Sequence, residues 1–400
     1  MIHKKLALRL FEASYIQRWN EKIRPVELTE LDKHAHKMII AYCLAKYEEL
    51  NGEKIEWHSI IKSGIYELLR RVVISDIKSP IFAKIKDEFK SEYDELNKWV
   101  FKNLETELTG LAKGSIKEEI FKYLTTEDCF DEKTNAIMKA AHAYASYWEF
   151  QIIRQANPHG YQIPEIHKKM INGMVNHLDL IGMRKILTEH KISDFINLCG
   201  QLRFQIRWGH TPRIPKTSVL GHMLLVACIS YLLAREIDAC PMRIYNNFFG
   251  GLFHDLPEVV TRDIISPVKN AVEGMPEAIS KIERDLAAAE IYPLLEKSWI
   301  PEFKYFTENE FEGKIVKDGE VNFVSSDDIS ESYNDDAFSP IDGKLIEVSD
   351  KFSAFLEAYA ANAIGIKTSH LQDGLQLHNK FKGTSVAGLS VYELFVDFLG

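Results

Sequence analysis

Four side chains in the second half of the chain are of the wrong chemical type for their surroundings. His222 lies inside an apolar run, GHMLLVACISYLLA. His254 and Asp255 sit in GGLFHDLPEVV, and Asp350 sits in IEVSDKFSAFLEA. Burying imidazoles and carboxylates among leucines and phenylalanines is costly unless they are paired or bound to a metal. Two imidazoles and two carboxylates form a mixed donor set suited to one divalent ion such as Mn, Co, Fe, Mg or Zn. An octahedral ion there keeps positions open for water and a substrate oxygen, as metal-assisted phosphoester hydrolysis requires. Glu258 follows His254 by four residues and Asp255 by three, so it shares their face if LPEV begins a helical turn. Pro257 suits such a start, and a carboxylate not needed as a ligand is placed to handle a proton. Each residue alone has an ordinary explanation: a core histidine, a carboxylate at a helix start, a capping aspartate. Jointly they define a candidate site.

The elements that must position these residues read as helices. Apolar residues recur at three-to-four spacing in LGHMLLVACISYLLARE and IERDLAAAEIYPLLEKSW, and alternating strand patterns are scarce. The expected fold is all-α. At 400 residues the chain is too long for one ordinary core. A hydrophobic fraction of 46% and a charged fraction of 27% fit a globular protein. With a net charge of −9 and no concentrated basic stretch, nucleic acid is not an expected partner. Five scattered cysteines without a CxxC pair argue against a disulfide framework and a zinc ribbon. The first residues lack the apolar core of a signal peptide, and no run approaches the ~18 uninterrupted apolar residues of a membrane span. The expected location is cytoplasmic.

The chain also repeats itself. GIYELLRRVVISDIKSP at 64–80 matches GLFHDLPEVVTRDIISP at 251–267 at a shift of 187. QRW at 17–19 mirrors IRW at 206–208, AYCLAK at 41–46 mirrors SYLLAR at 230–235, and IMKAAHAYASYWE at 137–149 mirrors LIEVSDKFSAFLE at 345–357. Four blocks in the same order predict a duplication, with domains at 1–190 and 191–400. Two such copies should pack as a pseudo-two-fold pair, a covalent version of a homodimer.

The ordered set His, His-Asp, Asp, with HDLPEVVTRDIISPVK at its centre, resembles the HD-domain phosphohydrolases. Within them it is most similar to the 5′-deoxynucleotidases, over roughly 195–360 and more weakly over 10–150. That resemblance implies that His222, His254, Asp255 and Asp350 ligate the metal and that Glu258 is the catalytic acid/base. It further implies that Arg207, Trp208, Asp263 and Lys269 contact the substrate, a nucleoside 5′-monophosphate hydrolysed by metal-activated water. A dNTP or (p)ppGpp hydrolase is the alternative within enzymes, although Lys269, Arg262 and Arg213 are the few cations on offer for a polyphosphate. A nucleotide sensor that holds a metal without turnover is the alternative outside them. The acidic segment 321–340 reads as a lid or a loop, and His370 and His378 as surface or packing residues.

Carried into the first half, the register turns His254 and Asp255 into Glu67 and Leu68, Glu258 into Arg71, and Asp350 into His142. His34 or His36 falls near the first-ligand position. Leucine cannot bind a metal, so residues 1–190 should be catalytically silent. Arg18, Trp19 and Asp76 persist at the positions that resemble substrate contacts.

Overall fold

Local sequence starts the main helices at polar caps. In the computed structural model Thr29, Asp131, Ser218 and Asp342 each accept a backbone N–H with their side chains. The structure describes residues 1–399 except residue 76, residues 127–128, residue 263 and residues 265–271. The first half carries α1 (Lys4–Phe11), α2 (Glu30–Leu50), α3 (Trp57–Ile74), α4 (Ser79–Glu88), α5 (Lys90–Leu104), α6 (Ser115–Thr125), α7 (Glu132–Ala156), α8 (Ile163–Val175) and α9 (Ile181–Thr188). The second carries α10 (His190–Gln201), α11 (Val219–Glu236), α12 (Pro241–Phe253), α13 (Glu258–Thr261), α14 (Met275–Leu286), α15 (Ile300–Thr307), α16 (Ser326–Ser332), α17 (Gly343–Ala363), α18 (Ser369–Leu375) and α19 (Glu393–Leu399). Two short antiparallel hairpins, Lys314–Lys317 with Glu320–Phe323 and Ser385–Val386 with Leu389–Ser390, are the strands among the described residues. The fold is all-α, as two tandem helical bundles.

The repeat is visible in the backbone. An isolated antiparallel bridge joins Gln17 to Thr29, and another joins Ile206 to Ser218. Trp19 and Trp208 both adopt left-handed backbone, φ 56° and 57°, and so do Ser75 and Arg262 at 59° and 65°. Each pair stands at the shift read from sequence. The copies are not separated by a linker: one continuous core runs from Leu6 through Ile39 and Leu225 to Phe395. The corresponding helices α2 and α11 pack on each other, and Asp32 of α2 accepts a hydrogen bond from the α11 cap, Ser218.

Helix α11 corrects one expectation. It is long and apolar enough to cross a membrane, with mean hydropathy 1.5, yet 89% of that stretch is buried in the core. Its apolarity serves packing on α2, α12 and α17. At the α12 crossing a Cβ on Gly251 would meet the Ala227 backbone at 3.0 Å, so glycine permits the close approach.

The acidic segment 321–340 is an ordered cap rather than a loop. It forms part of a hairpin and then α16, opened by a capping box between Ser325 and Asp328. Arg243 of α12 holds it. Fully buried, its guanidinium donates to Asp342 at 2.6 Å and to Ser330 at 3.2 Å, and Ser326 donates to the other Asp342 oxygen at 2.6 Å. Asp342 also caps α17, so one ion pair sets α12 against α17, the two helices that present His254 and Asp350. Removing one partner strands a buried charge, which costs about 3–5 kcal/mol. Asp342→Ala should therefore lower urea-unfolding stability by that order. Glu95→Ala, which breaks an exposed pair with Lys98, should change it by about 0.5 kcal/mol or less.

Candidate metal centre

His222 lies one turn into α11, and Asp350 two turns into α17. Helix α12 ends at Phe253, and residues 254–257 form a turn before α13 begins at Glu258. Pro257 explains the break: it stands where the first copy has Arg70, and there α3 continues unbroken through the same register. The turn brings His254 and Asp255 to His222 and Asp350.

The donor atoms converge. His222 Nε2 lies 2.9 Å from Asp350 Oδ1 and 3.8 Å from Asp255 Oδ2, and His254 Nε2 lies 3.2 Å from the same Asp255 oxygen. Ligand atoms of His222, His254 and Asp350 all fall within 4.8 Å of one another. Donors about 2.1 Å from an octahedral ion sit roughly 3 Å apart when adjacent, so the set fits a single divalent cation. His254 Nδ1 is 2.8 Å from the Gly251 carbonyl, which fixes that nitrogen as the N–H donor. This leaves Nε2, buried and 3.2 Å from Asp255 Oδ2, as the nitrogen that would bind a metal.

The electrostatics describe a cation hole. Burial would raise both carboxylates, but His254 holds Asp255 low, and Lys351 and His222 hold Asp350 well below the usual range. Burial alone would lower His254; Asp255 and Asp350 instead push it up to about 9. In the absence of metal, an imidazolium thus balances the two aspartates.

Glu258 is buried at the first position of α13, with Pro257 preceding it as expected. Arg207 reaches Asp255 at 3.8 Å and Glu357 at 3.3 Å. Trp208 packs its ring on Ala358, Ala361 and Leu371 and donates its indole N–H to Glu357 at 2.7 Å. Asp263 and Lys269 lie outside the described residues, as does Asp76 of the first copy. Arg213 is a buried buttress, donating to Thr217 beside Glu357. His378 is buried and sits 2.7 Å from the Leu375 carbonyl, a packing role.

Three residues escaped the sequence reading. Glu357 anchors Arg207, Trp208, Thr217 and Arg213, and its counterpart Glu149 likewise takes Arg18 at 2.8 Å and Trp19 at 3.0 Å. Both glutamates close the mirrored blocks 137–149 and 345–357, which was the available signal. Lys351 pairs with Asp350 at 2.7 Å and stands 5.6 Å over the Phe311 ring. Glu310, raised by burial and by Asp255, joins Phe311 in covering the site, the latter 6.3 Å from the His254 ring. Only tertiary packing brings that loop there.

In the first copy the register holds for Glu67, Leu68, Arg71 and His142, but neither His34 nor His36 occupies the first-ligand position. Lys33 does. At the 189-residue shift of the neighbouring blocks it stands for His222. Its ammonium lies 2.9 Å from His142 Nδ1, and His142 lies 3.6 Å from Glu67, which also pairs with Lys37. Lys33, with burial, pulls His142 down to about 4, and burial brings Lys33 itself to about 8. His34 instead bonds the Gly64 carbonyl, and His36 bonds the Ile196 carbonyl next to Arg203.

An all-helical pair of bundles with this His, His-Asp, Asp centre defines the HD-domain class. Residues 199–378 match the family described as HD domain, and residues 6–183 match the family described as 5′-deoxynucleotidase YfbR-like. Each half of the chain is thus similar to a family of HD-domain type, and the nucleotidase-like match falls on the copy that lacks the ligand set. No curated protein and no solved structure matches it.

Elemental analysis after metal loading should find one ion per chain. His222→Ala, Asp255→Ala or Asp350→Ala should abolish it, and Lys33→Ala should leave it unchanged. Two ions per chain would contradict the assignment of a ligand-free first copy. Stability should also depend on Glu357, lowered to about 2 because Arg207 and Arg213 outweigh its burial. A carboxyl depressed by folding stabilises above its unfolded pKa of about 4.3 and loses that contribution as pH falls toward 2. Glu357→Gln should flatten the urea-stability profile across that window by on the order of 3 kcal/mol.

Proposed function

We propose that the chain hydrolyses the phosphomonoester of a (deoxy)nucleoside 5′-monophosphate at the centre formed by His222, His254, Asp255 and Asp350. The observation that carries this reading is the convergence of His222, His254, Asp255 and Asp350, with buried Glu258 opening the next helix. A bound divalent ion would acidify water and neutralise charge on the phosphoryl group. Glu258 takes the proton of the attacking water and returns it to the leaving 5′-oxygen as the phosphorus–oxygen bond breaks. Arg207 and Lys351, cations flanking Asp255 and Asp350, face the equatorial phosphoryl oxygens. We further place the division between the copies near residue 190, with residues 1–190 silent in catalysis because Leu68 and Arg71 replace a ligand and the acid/base.

A sensor that holds metal without turnover is the second reading. It draws on the nucleotidase-like family match lying over the first copy. Phosphate release from dNMPs, NMPs, dNTPs and ppGpp with Mn, Co or Mg separates the two. We expect monophosphates to be favoured and Asp255→Ala to abolish release. Glu258→Gln should lower kcat by about 10²–10⁴ while retaining the metal. No release by metal-loaded protein from any of these would leave the sensor reading.

A further inference from the structure

The first copy keeps a cavity where the second keeps its metal. The cavity measures about 610 Å3, and Glu67 and His142 line it; pockets for small ligands span about 300–1,000 Å3. Six cationic side chains face it, Lys37, Arg70, Arg71, Lys86, Lys90 and Lys139, against three carboxylates, Glu30, Glu67 and Asp94. Two of the three are already matched. Glu30 pairs with Arg18 at 2.8 Å and Arg71 at 3.3 Å, and Glu67 pairs with Lys37. Lys86 and Lys139 are exposed and form no ion pair among the described residues. A chain with net charge −9 thus concentrates positive charge in one concave place, which favours an anion.

The cavity is not merely basic. The Arg70 guanidinium lies 5.3 Å from both the Phe82 and the Tyr123 ring centres, and Phe82 meets Tyr93 edge-on at 5.6 Å. Phe82, Tyr93 and Tyr123 line the cavity, so the ring surface that Arg70 leaves uncovered offers apolar wall to an aromatic group. Asn97 lines the same cavity at 2% exposure, and its Oδ1 has no hydrogen-bond partner among the described residues. A buried acceptor without a donor is rare and calls for one. At the deep end Lys33 has taken the place of a metal, so Glu67 and His142 need no cation.

We propose that this cavity is a metal-independent binding site for a nucleoside phosphate. The phosphate is held at the cations Arg71, Lys86 and Lys139, and the base lies against the Phe82 and Tyr123 wall, where a base N–H donates to Asn97. The site binds without hydrolysing, because no water-activating centre remains. This inference does not rest on the hydrolase reading, since it concerns the other copy and is tested with metal removed.

The test is calorimetric titration of the full chain in EDTA with ATP, GTP, dAMP, adenosine and pyrophosphate. At least one nucleotide should saturate at one per chain, with adenosine and pyrophosphate at least tenfold weaker. The exposed double variant Lys86→Glu/Lys139→Glu should weaken binding tenfold or more. Asn97→Leu should narrow the gap between nucleotides and pyrophosphate, and Asp255→Ala should leave binding unchanged. The proposal is overturned if no nucleotide saturates, if pyrophosphate binds as tightly as the nucleotides, or if the rim double variant binds normally. Loss of binding in Asp255→Ala would overturn it too, by assigning the nucleotide to the metal centre.

Discussion

Charge buried inside apolar helices must be met by opposite charge, and the architecture follows from how each copy meets that demand. In the second copy Asp255 and Asp350 are held ionised in the core, where their own histidines and Lys351 outweigh the cost of burial. A bound divalent ion would take the place of the imidazolium in that balance. In the first copy one aspartate has become Leu68, the other has become His142, and the ammonium of Lys33 sits among the remaining groups. A covalently tethered cation stands where the second copy has its metal ligands. That substitution keeps the helices packed, and Leu68 offers no ligand atom to a metal there.

The same demand explains why the copies cannot be treated as independent. Helix α11 is hydrophobic enough to look like a membrane span because it is buried on all sides, by its own bundle and by α2 of the other. Across this seam Arg203 reaches Glu149 at 3.0 Å and stacks 4.7 Å from the Trp148 ring, and Tyr42 donates to Glu302 at 2.7 Å. Both His222 and Lys33 lie on the two helices that form the seam. Change in one copy's site therefore bears on the interface that stabilises the other.

Much of this was legible in the residues. The helical period, the duplication and the four donors follow from apolar spacing and from polar groups standing where apolar ones belong. Pro257 announced the turn that presents His254 and Asp255. The missed position, Lys33, was within reach: the blocks at 17–19 and 41–46 carry a shift of 189, whereas the shift of 187 belongs to the HD segment alone. Two residues of offset between blocks were enough to send the reading to a neighbouring histidine. Glu310 and the anchoring of 321–340 by Arg243 depend on contacts across some 60 to 100 residues, and no local pattern encodes those.

The duplication also acts as an internal control on the roles of the site residues. A feature kept in both copies survives loss of the ligand set, so it is explained by architecture. The bridge before each long helix, the left-handed tryptophan, and the Arg-Trp pair on a buried glutamate belong there. A feature present only beside the intact ligands is tied to chemistry. His254, Asp255, Pro257 and Glu258 are of this kind, standing opposite Glu67, Leu68, Arg70 and Arg71. Lys351, opposite Ala143, joins them. By this criterion Trp208 weighs toward the scaffold, because its ring and its N–H are both committed in each copy. Arg207 has a foot in each class. It shares the glutamate anchor with Arg18, but beyond that anchor it finds Asp255, whereas Arg18 finds Glu30. The same geometry thus aims one guanidinium at a candidate metal ligand and the other at a structural carboxylate.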